Sequence, residues 1–287
     1  MRETRLGWAL AAPSLALFAL VYLYPVVYSA WVSFYEWDLA GPARWVGTAN
    51  YRALATAEFL EVVTNTAKYS GGVVVLSQAL GLLLAIFLND RTRLGALFRA
   101  SIFSSYVVSW VAVSLLWIWL LDPQYGLVAW LLGLVRLPAV DWLGDHRIAL
   151  WTLVLVTVWK TVGYPMVIYL AGLQAIPGDL YEAAALDGAG GWQRFRHITW
   201  PLLTPTTLFL LVTLTIASFQ GFDIVKIMTQ GGPVTSTMIY VYWIYEQAFQ
   251  YFKLGKASAG VVVFFVLIVL LTLAQWLLFR RRVHYTT

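Results

Sequence analysis

Apolar residues in this chain do not alternate with polar ones at the spacing of a half-buried strand or a soluble amphipathic helix. They run together in six stretches, at about 8–34, 66–88, 101–121, 148–173, 202–224 and 257–279. A helix needs about 20 apolar residues to cross a hydrocarbon core, and each stretch is long enough. In lipid every backbone N–H and C=O must be paired within the chain, which selects helices or closed barrels. The alternating segments of a membrane barrel are missing. The pattern therefore predicts an all-α, polytopic membrane protein with about six transmembrane helices. The first stretch begins near Trp8 and is longer than the apolar region of a cleaved signal, roughly 7–15 residues, so it reads as a retained helix.

Composition agrees with the pattern. Hydrophobic residues make up 61% of the 287 and charged residues 11%, against roughly 25% charged in a soluble domain. The 15 Trp and 16 Tyr gather at stretch ends, as at Trp31, Trp37, Trp151 and Trp276, where an apolar ring with a polar tip suits the headgroup level. The net charge of +5 is distributed unevenly. With a cytoplasmic N-terminus, the inner segments 1–7, 89–100, 174–201 and 280–287 hold ten Arg: Arg2, Arg5, Arg91, Arg93, Arg99, Arg194, Arg196, Arg280, Arg281 and Arg282. The longer outer segments 35–65, 122–147 and 225–256 hold seven Arg and Lys. The positive-inside rule then expects both termini in the cytoplasm.

Between the stretches, residues 36–65 read as a solvated outer segment, and "YVYWIYEQAFQYF" (240–252) as an interfacial helix. There is no repeat and no second domain in the pattern, so residues 1–287 read as one membrane domain. The chemically informative loop is Ala175–Pro205, "AIPGDLYEAAALDGAGGWQRFRHITWPLLTP". Pro177 and Gly178 end the preceding span. Asp179 is placed to cap a short helix and Glu182 to complete a capping box. Gly188, Gly190 and Gly191 interrupt it, and a second segment leads to Pro201. Ala183, Ala184 and Ala185 carry almost no side chain, so another protein can approach the backbone closely. A short helix, a break and a second helix on the Arg-rich side form a docking element able to pass rigid-body motion to the attached spans.

This loop resembles the cytoplasmic loop of permeases from bacterial ATP-binding-cassette importers, whose pattern is E-A-A, three residues, G, nine residues, I-x-L-P. Here the matching residues are Glu182, Ala183, Ala184, Gly188, Ile198 and Pro201, with Asp187 and Ala189 completing a D-G-A, while Trp200 stands where Leu is usual. "FQGFDIVKIMTQGGP" (219–233) and "ANYRAL" (49–54) are similar to segments of the carbohydrate branch, of maltose or glycerol-phosphate type. The resemblance implies the importer permease fold, with the loop seated in a cleft of a separate ATPase. It also implies a second permease, alike or paralogous, two ATP-binding subunits and an extracytoplasmic solute-binding protein. The implied place is the bacterial inner membrane, and the implied activity is inward translocation of a carbohydrate or a sugar or glycerol phosphate by alternating access. ATP and Mg would then sit on the partner ATPase. This chain has no G-x-x-x-x-G-K-S/T; at Gly255-Lys256 the first glycine of the motif is replaced by Gln250.

Other chemistry is poorly supported. There are no cysteines, and His146, His197 and His284 lie far apart, so neither thiol chemistry nor a metal site is expected. The acids Asp179, Glu182 and Asp187 share one docking helix and form no catalytic cluster, so no catalytic residues, resident cofactor or nucleic-acid partner are expected. A membrane-embedded transferase and a self-contained channel remain the competing classes. Ionisable residues inside spans are candidates for the solute path. Lys160, beside Trp159 and ahead of Gly163, Tyr164 and Pro165, leads these, followed by Gln220 and Asp223. Gly163 and Pro165 also predict a kink or loosened turn. At ~1.5 Å per residue, Lys160 lies about 25 Å and Asp223 about 33 Å from the inner face. A buried Lys160–Asp223 ion pair is thus one reading and direct contact with solute the other.

Overall fold

The computed structural model describes residues 2–39, 41–90 and 92–279. Arg91 and the Arg280-Arg281-Arg282 cluster of the charge argument, with His284, lie outside the described residues. Among the described residues, four helical stretches are long and apolar enough to cross a membrane: Leu10–Val32, Ala57–Phe87, Thr204–Met228 and Leu254–Leu278. Counting each of two bent pairs as one span gives six: Arg93–Val107 with Trp110–Leu120, and Ala149–Thr161 with Gly163–Gln174.

The chain divides into two compact units. One holds Met1–Leu60 and Trp243–Val269. Its N-terminal helix passes through a π-helical turn at Ala19–Leu23 before continuing as Tyr24–Val32. A small hairpin follows, pairing Tyr35 with Trp45 and Glu36 with Arg44. Asn50 fixes the hairpin by donating to the carbonyls of Ser33 and Tyr35, each at 2.9 Å. Gly255, at the start of Leu254–Phe279, lies so close to the Tyr35 carbonyl that a Cβ would collide with it.

The other unit holds Glu61–Tyr242 and Leu270–Thr287. Its core joins Val74 and Ala85 of Ala57–Phe87, Met166, Tyr169 and Leu170 of Gly163–Gln174, and Leu210 and Leu214 of Thr204–Phe219. Arg93–Val107 packs across Ala149–Thr161 and Gly163–Gln174, and Trp110–Leu120 packs on Phe222–Met228.

Three expectations need correction. The helix expected from 66 begins at Ala57, because the polar residues of that stretch are used inside the protein. Asn65 donates to Thr235 O at 3.0 Å, and Thr66 Oγ1 accepts from Tyr240 N at 2.8 Å. The stretch 101–121 is not one rod. Val108 and Ser109 adopt extended backbone (ψ 143° and 139°), and the flanking helices diverge by 101°. Finally, 240–252 is helical at Tyr240–Tyr245 and π-helical at Glu246–Gln250; Tyr240, Tyr242 and Trp243 are almost fully buried while Phe249, Tyr251 and Phe252 are exposed, so only its second half lies on the surface as an interfacial helix would.

The kink expected near Gly163 is present, as a 48° bend between Ala149–Thr161 and Gly163–Gln174. A Cβ on Gly163 would stand 2.8 Å from both Ile102 O and Phe103 Cα, so only glycine lets the two backbones cross here. Gly163→Ala should therefore destabilise the protein by about 1–3 kcal/mol, the usual range for overpacking. Gly71→Ala, in open space on a helix, should be neutral or stabilising by up to about 1 kcal/mol. Thermal unfolding of the two purified variants in one detergent measures the contrast.

Candidate functional site

Seven helices of the second unit line a cavity of about 440 Å³, within the usual size range for small-molecule sites. One wall is aromatic. Tyr106, at the end of Arg93–Val107, stacks on Tyr164 with centroids 5.5 Å apart and planes inclined by 17°, and Trp110 stands beside them across the helix break. A second wall carries hydroxyls from Tyr69, Thr157, Thr161, Thr213 and Ser218. Most of these are held by partners in the protein. Tyr69 OH and Thr157 Oγ1 are bonded at 2.9 Å, Thr161 Oγ1 donates to Thr157 O at 2.8 Å, and Thr213 Oγ1 donates to Phe209 O at 2.9 Å. Ser70 and Ser218 bond to each other behind the wall. Gln220 and Asp223 are exposed and close one end. Gly221 lies between them because a Cβ there would meet Tyr69 OH at 2.8 Å.

The expected path residues thus separate. Tyr164, Gln220 and Asp223 line the cavity; Trp159 and Lys160 do not. Trp159 is 45% exposed on another face and meets Trp117 edge-on at 5.3 Å. Lys160 is 2% exposed, the one charged side chain this buried among the described residues. It does not pair with Asp223. Its Nζ donates to Tyr106 O at 2.9 Å and Ser105 O at 3.4 Å, and sits 4.7 Å from the Trp110 ring centroid. The straight-rod count behind the proposed ion pair ignored the bend after Thr161 and the break at Gln220–Gly221, which turn the two side chains to different partners.

The loop Ala175–Pro205 carries its own geometry. The helix Gly178–Leu186 starts two residues earlier than expected. Pro177 occupies the N-cap with no side-chain bond, and the expected Asp179–Glu182 capping box does not form. Asp179 falls instead in the first turn, where a carboxylate favours the positive helix end. The C-terminus is a Schellman motif. Ala189 N donates to Ala184 O at 2.9 Å, Gly188 N donates to Ala185 O at 3.1 Å, and Gly188 adopts φ +78°. Nothing lies within 4 Å of a Cβ built on Gly188, so its backbone conformation, not space, demands glycine. Glu182 and Ala183 are exposed; Ala184, Asp187, Gly188 and Ile198 border a groove of about 380 Å³ that also takes in Gln193 and His197. Tyr181 OH bonds Thr199 Oγ1 at 2.9 Å, tying this helix to the segment that leads through Pro201 into Thr204–Phe219.

Sequence reasoning missed Tyr69, Tyr106, Trp110, Thr157, Thr161 and Thr213 as cavity residues. A signal did exist for some of them. Thr157, Thr161 and Tyr164 recur at i, i+4 and i+7, as do Thr213, Ala217 and Gln220, so each set marks a polar or small stripe on one helix face.

The chain is similar to known transport proteins. The sequence model of the family described as binding-protein-dependent transport system inner membrane component matches residues 78–284. The trehalose/maltose transport system permease protein MalF of Thermococcus litoralis is 35% identical over 261 residues, covering 90% of this chain and 87% of that protein. The sn-glycerol-3-phosphate transport system permease protein UgpA of Agrobacterium fabrum is 34% identical over 285 residues, covering 98% and 96%. The fold is also that of a chain in the crystal structure of a bacterial alginate ABC transporter in complex with its alginate pentasaccharide-bound periplasmic protein. The TM-score is 0.86 at 23% identity, over 100% of this chain and 98% of that one.

The Schellman geometry makes a specific demand on one residue. Gly188→Ala forces a Cβ into the left-handed region and should weaken the loop helix by about 1–2 kcal/mol, whereas Gly188→Asn should cost less because Asn tolerates that region. Hydrogen exchange of the amides of residues 182–189, read by mass spectrometry, should be accelerated in the order Gly, Asn, Ala.

Proposed function

The chain belongs to the family of inner-membrane components of binding-protein-dependent transport systems, and from that membership we propose that this permease subunit moves a neutral carbohydrate inward by alternating access. Membership makes it a multi-pass inner-membrane transport subunit of an ATP-binding-cassette importer rather than an enzyme. The relatives' names include both an uncharged disaccharide and a phosphate ester, and the cavity favours the first. Among the described residues its lining holds one charged side chain, the carboxylate of Asp223. A phosphate would face that anion with no cation to balance it, because Lys160 is committed to backbone carbonyls. Stacked tyrosines beside hydroxyl and amide groups suit the apolar faces and hydroxyl edges of a sugar ring.

The observation that carries the coupling half of the proposal is the rigid, exposed helix end at Glu182–Gly188 in the spacing described above. In this reading both termini and the 175–205 loop face the cytoplasm. The loop seats in a separate ATPase, which holds ATP and Mg, and two such ATPases serve this chain and a second permease. A solute-binding protein delivers solute from the outer side. Nucleotide-driven closure of the ATPases displaces the loop, and the Tyr181–Thr199 bond passes that displacement to Thr204–Phe219, whose far end borders the cavity.

The test is purification and reconstitution of the full importer. Wild type should bring down a soluble ATPase and accumulate maltose, and not sn-glycerol 3-phosphate, in an ATP-dependent manner. Gly188→Trp should insert normally yet lose solute-stimulated ATP hydrolysis by about tenfold or more, the effect of removing a contact worth ~1.4 kcal/mol or more. Unchanged stimulated hydrolysis in that variant defeats the docking assignment, and uptake of the phosphate ester in place of the sugar defeats the neutral-solute assignment.

A further inference from the structure

The two helix breaks of the second unit meet, and each satisfies the other. Arg93–Val107 ends at extended Val108 and Ser109, so its last carbonyls have no intrahelical donor. Ala149–Thr161 bends at Val162–Gly163. Lys160, from the second helix, donates to the Tyr106 and Ser105 carbonyls of the first, while Ser105 Oγ, from the first, donates to Lys160 O at 3.1 Å. The ammonium also complements the negative end of the helix it caps and lies against the Trp110 ring on the far side of the break. One charge therefore touches both arms of the 101° bend.

We propose that Lys160 is a positioning residue that fixes the angle of the Arg93–Val107/Trp110–Leu120 break and thereby holds Tyr106 and Trp110 in the wall of the solute cavity. It acts through those residues and does not touch solute. A charged Lys is costly inside a membrane helix, and its charge-assisted hydrogen bonds to the Tyr106 and Ser105 carbonyls offset that cost. An apolar replacement removes the ammonium and leaves the part-buried Tyr106 carbonyl without its donor, and the break then relaxes toward geometries that pair it. The step from break angle to transport rests on reading the cavity as the solute route; the break angle itself does not.

The chain contains no cysteine, so spin labels can be placed at will. Leu97→Cys and Leu116→Cys put labels on the exposed faces of the two arms, and their distance distribution in the reconstituted importer reports the bend. With Lys160→Met the distribution should broaden and shift, Lys160→Arg should restore most of the wild-type distribution, and Ser105→Ala should broaden it to a smaller extent. ATP-dependent maltose uptake should fall in the same order, about tenfold for Lys160→Met as expected for loss of one charge-assisted hydrogen bond. A Lys that only adds stability would lower yield and leave the distance in the folded fraction unchanged. An unchanged distribution in Lys160→Met overturns the proposal. So does a broadened one with wild-type uptake. If Lys160→Met does not insert, Ser105→Ala decides, and a wild-type distribution there overturns it. Failure of the solute reading is seen separately, as a wild-type importer that takes up no maltose while the label distances still report the brace.

Discussion

A helix that breaks within a membrane-spanning bundle leaves its last carbonyls without intrahelical donors, and this single constraint organises the centre of the structure. At Val108–Ser109 the chain leaves the helix by two extended residues, and the freed carbonyls of Ser105 and Tyr106 are met by the ammonium of Lys160. The charge and the broken helix are each unfavourable in an apolar interior, and each removes the other's cost. Gly163 completes the arrangement by letting the backbone of the second broken helix approach Ile102 and Phe103 where any side chain would collide. The aromatic wall of the cavity is built on these two breaks, with Tyr106 before one and Tyr164 after the other.

The same economy of backbone governs the loop. Its helix is nine residues long, too short to be stable alone in water. It is ended by a left-handed glycine and anchored by one side-chain bond to Thr199. Beyond Thr199 the chain continues through Pro201 into Thr204–Phe219, and that helix runs to Gln220 at the cavity. Loop and cavity are therefore joined by two helices of the same unit, Gly163–Gln174 from Tyr164 and Thr204–Phe219 to Gln220, which are the physical path for the coupling proposed above.

The spans were legible because hydropathy over about 20 residues is a strong signal, and the loop because its spacing is specific. The breaks were legible only in part. Gly163 and Pro165 announced the bend at 48°, since both disrupt a helix by covalent structure. Nothing in Ser105-Tyr106-Val107-Val108-Ser109-Trp110 announced the bend at 101°, because apolar and β-branched residues fit either conformation and the choice was made by packing. Lys160 was correctly singled out as costly, but its partner was sought among acids. In a bundle with broken helices a carbonyl at a helix end serves a cation equally well, and carbonyls carry no sequence signature. The same blindness moved the start of Ala57–Phe87, where Asn65 looked solvated and instead bonds to Thr235.

Membership of one family leaves the solute open, since relatives at 35% and 34% identity are named for trehalose/maltose and for glycerol phosphate. A shared scaffold carrying different cargo has to place the difference in a few lining side chains. In the neutral-carbohydrate proposal the deciding feature is where Lys160, the one charged side chain so deeply buried among the described residues, points. Turned into the cavity, Lys160 would offset Asp223 and admit a phosphate; turned onto the Tyr106 carbonyl, it leaves the cavity to hydroxyls, an amide and one carboxylate. In that proposal the brace that holds the broken helix and the electrostatics of the cavity are consequences of the same rotamer. A change of solute charge on this scaffold would then require a second donor for the helix end before Lys160 could be released to the cavity.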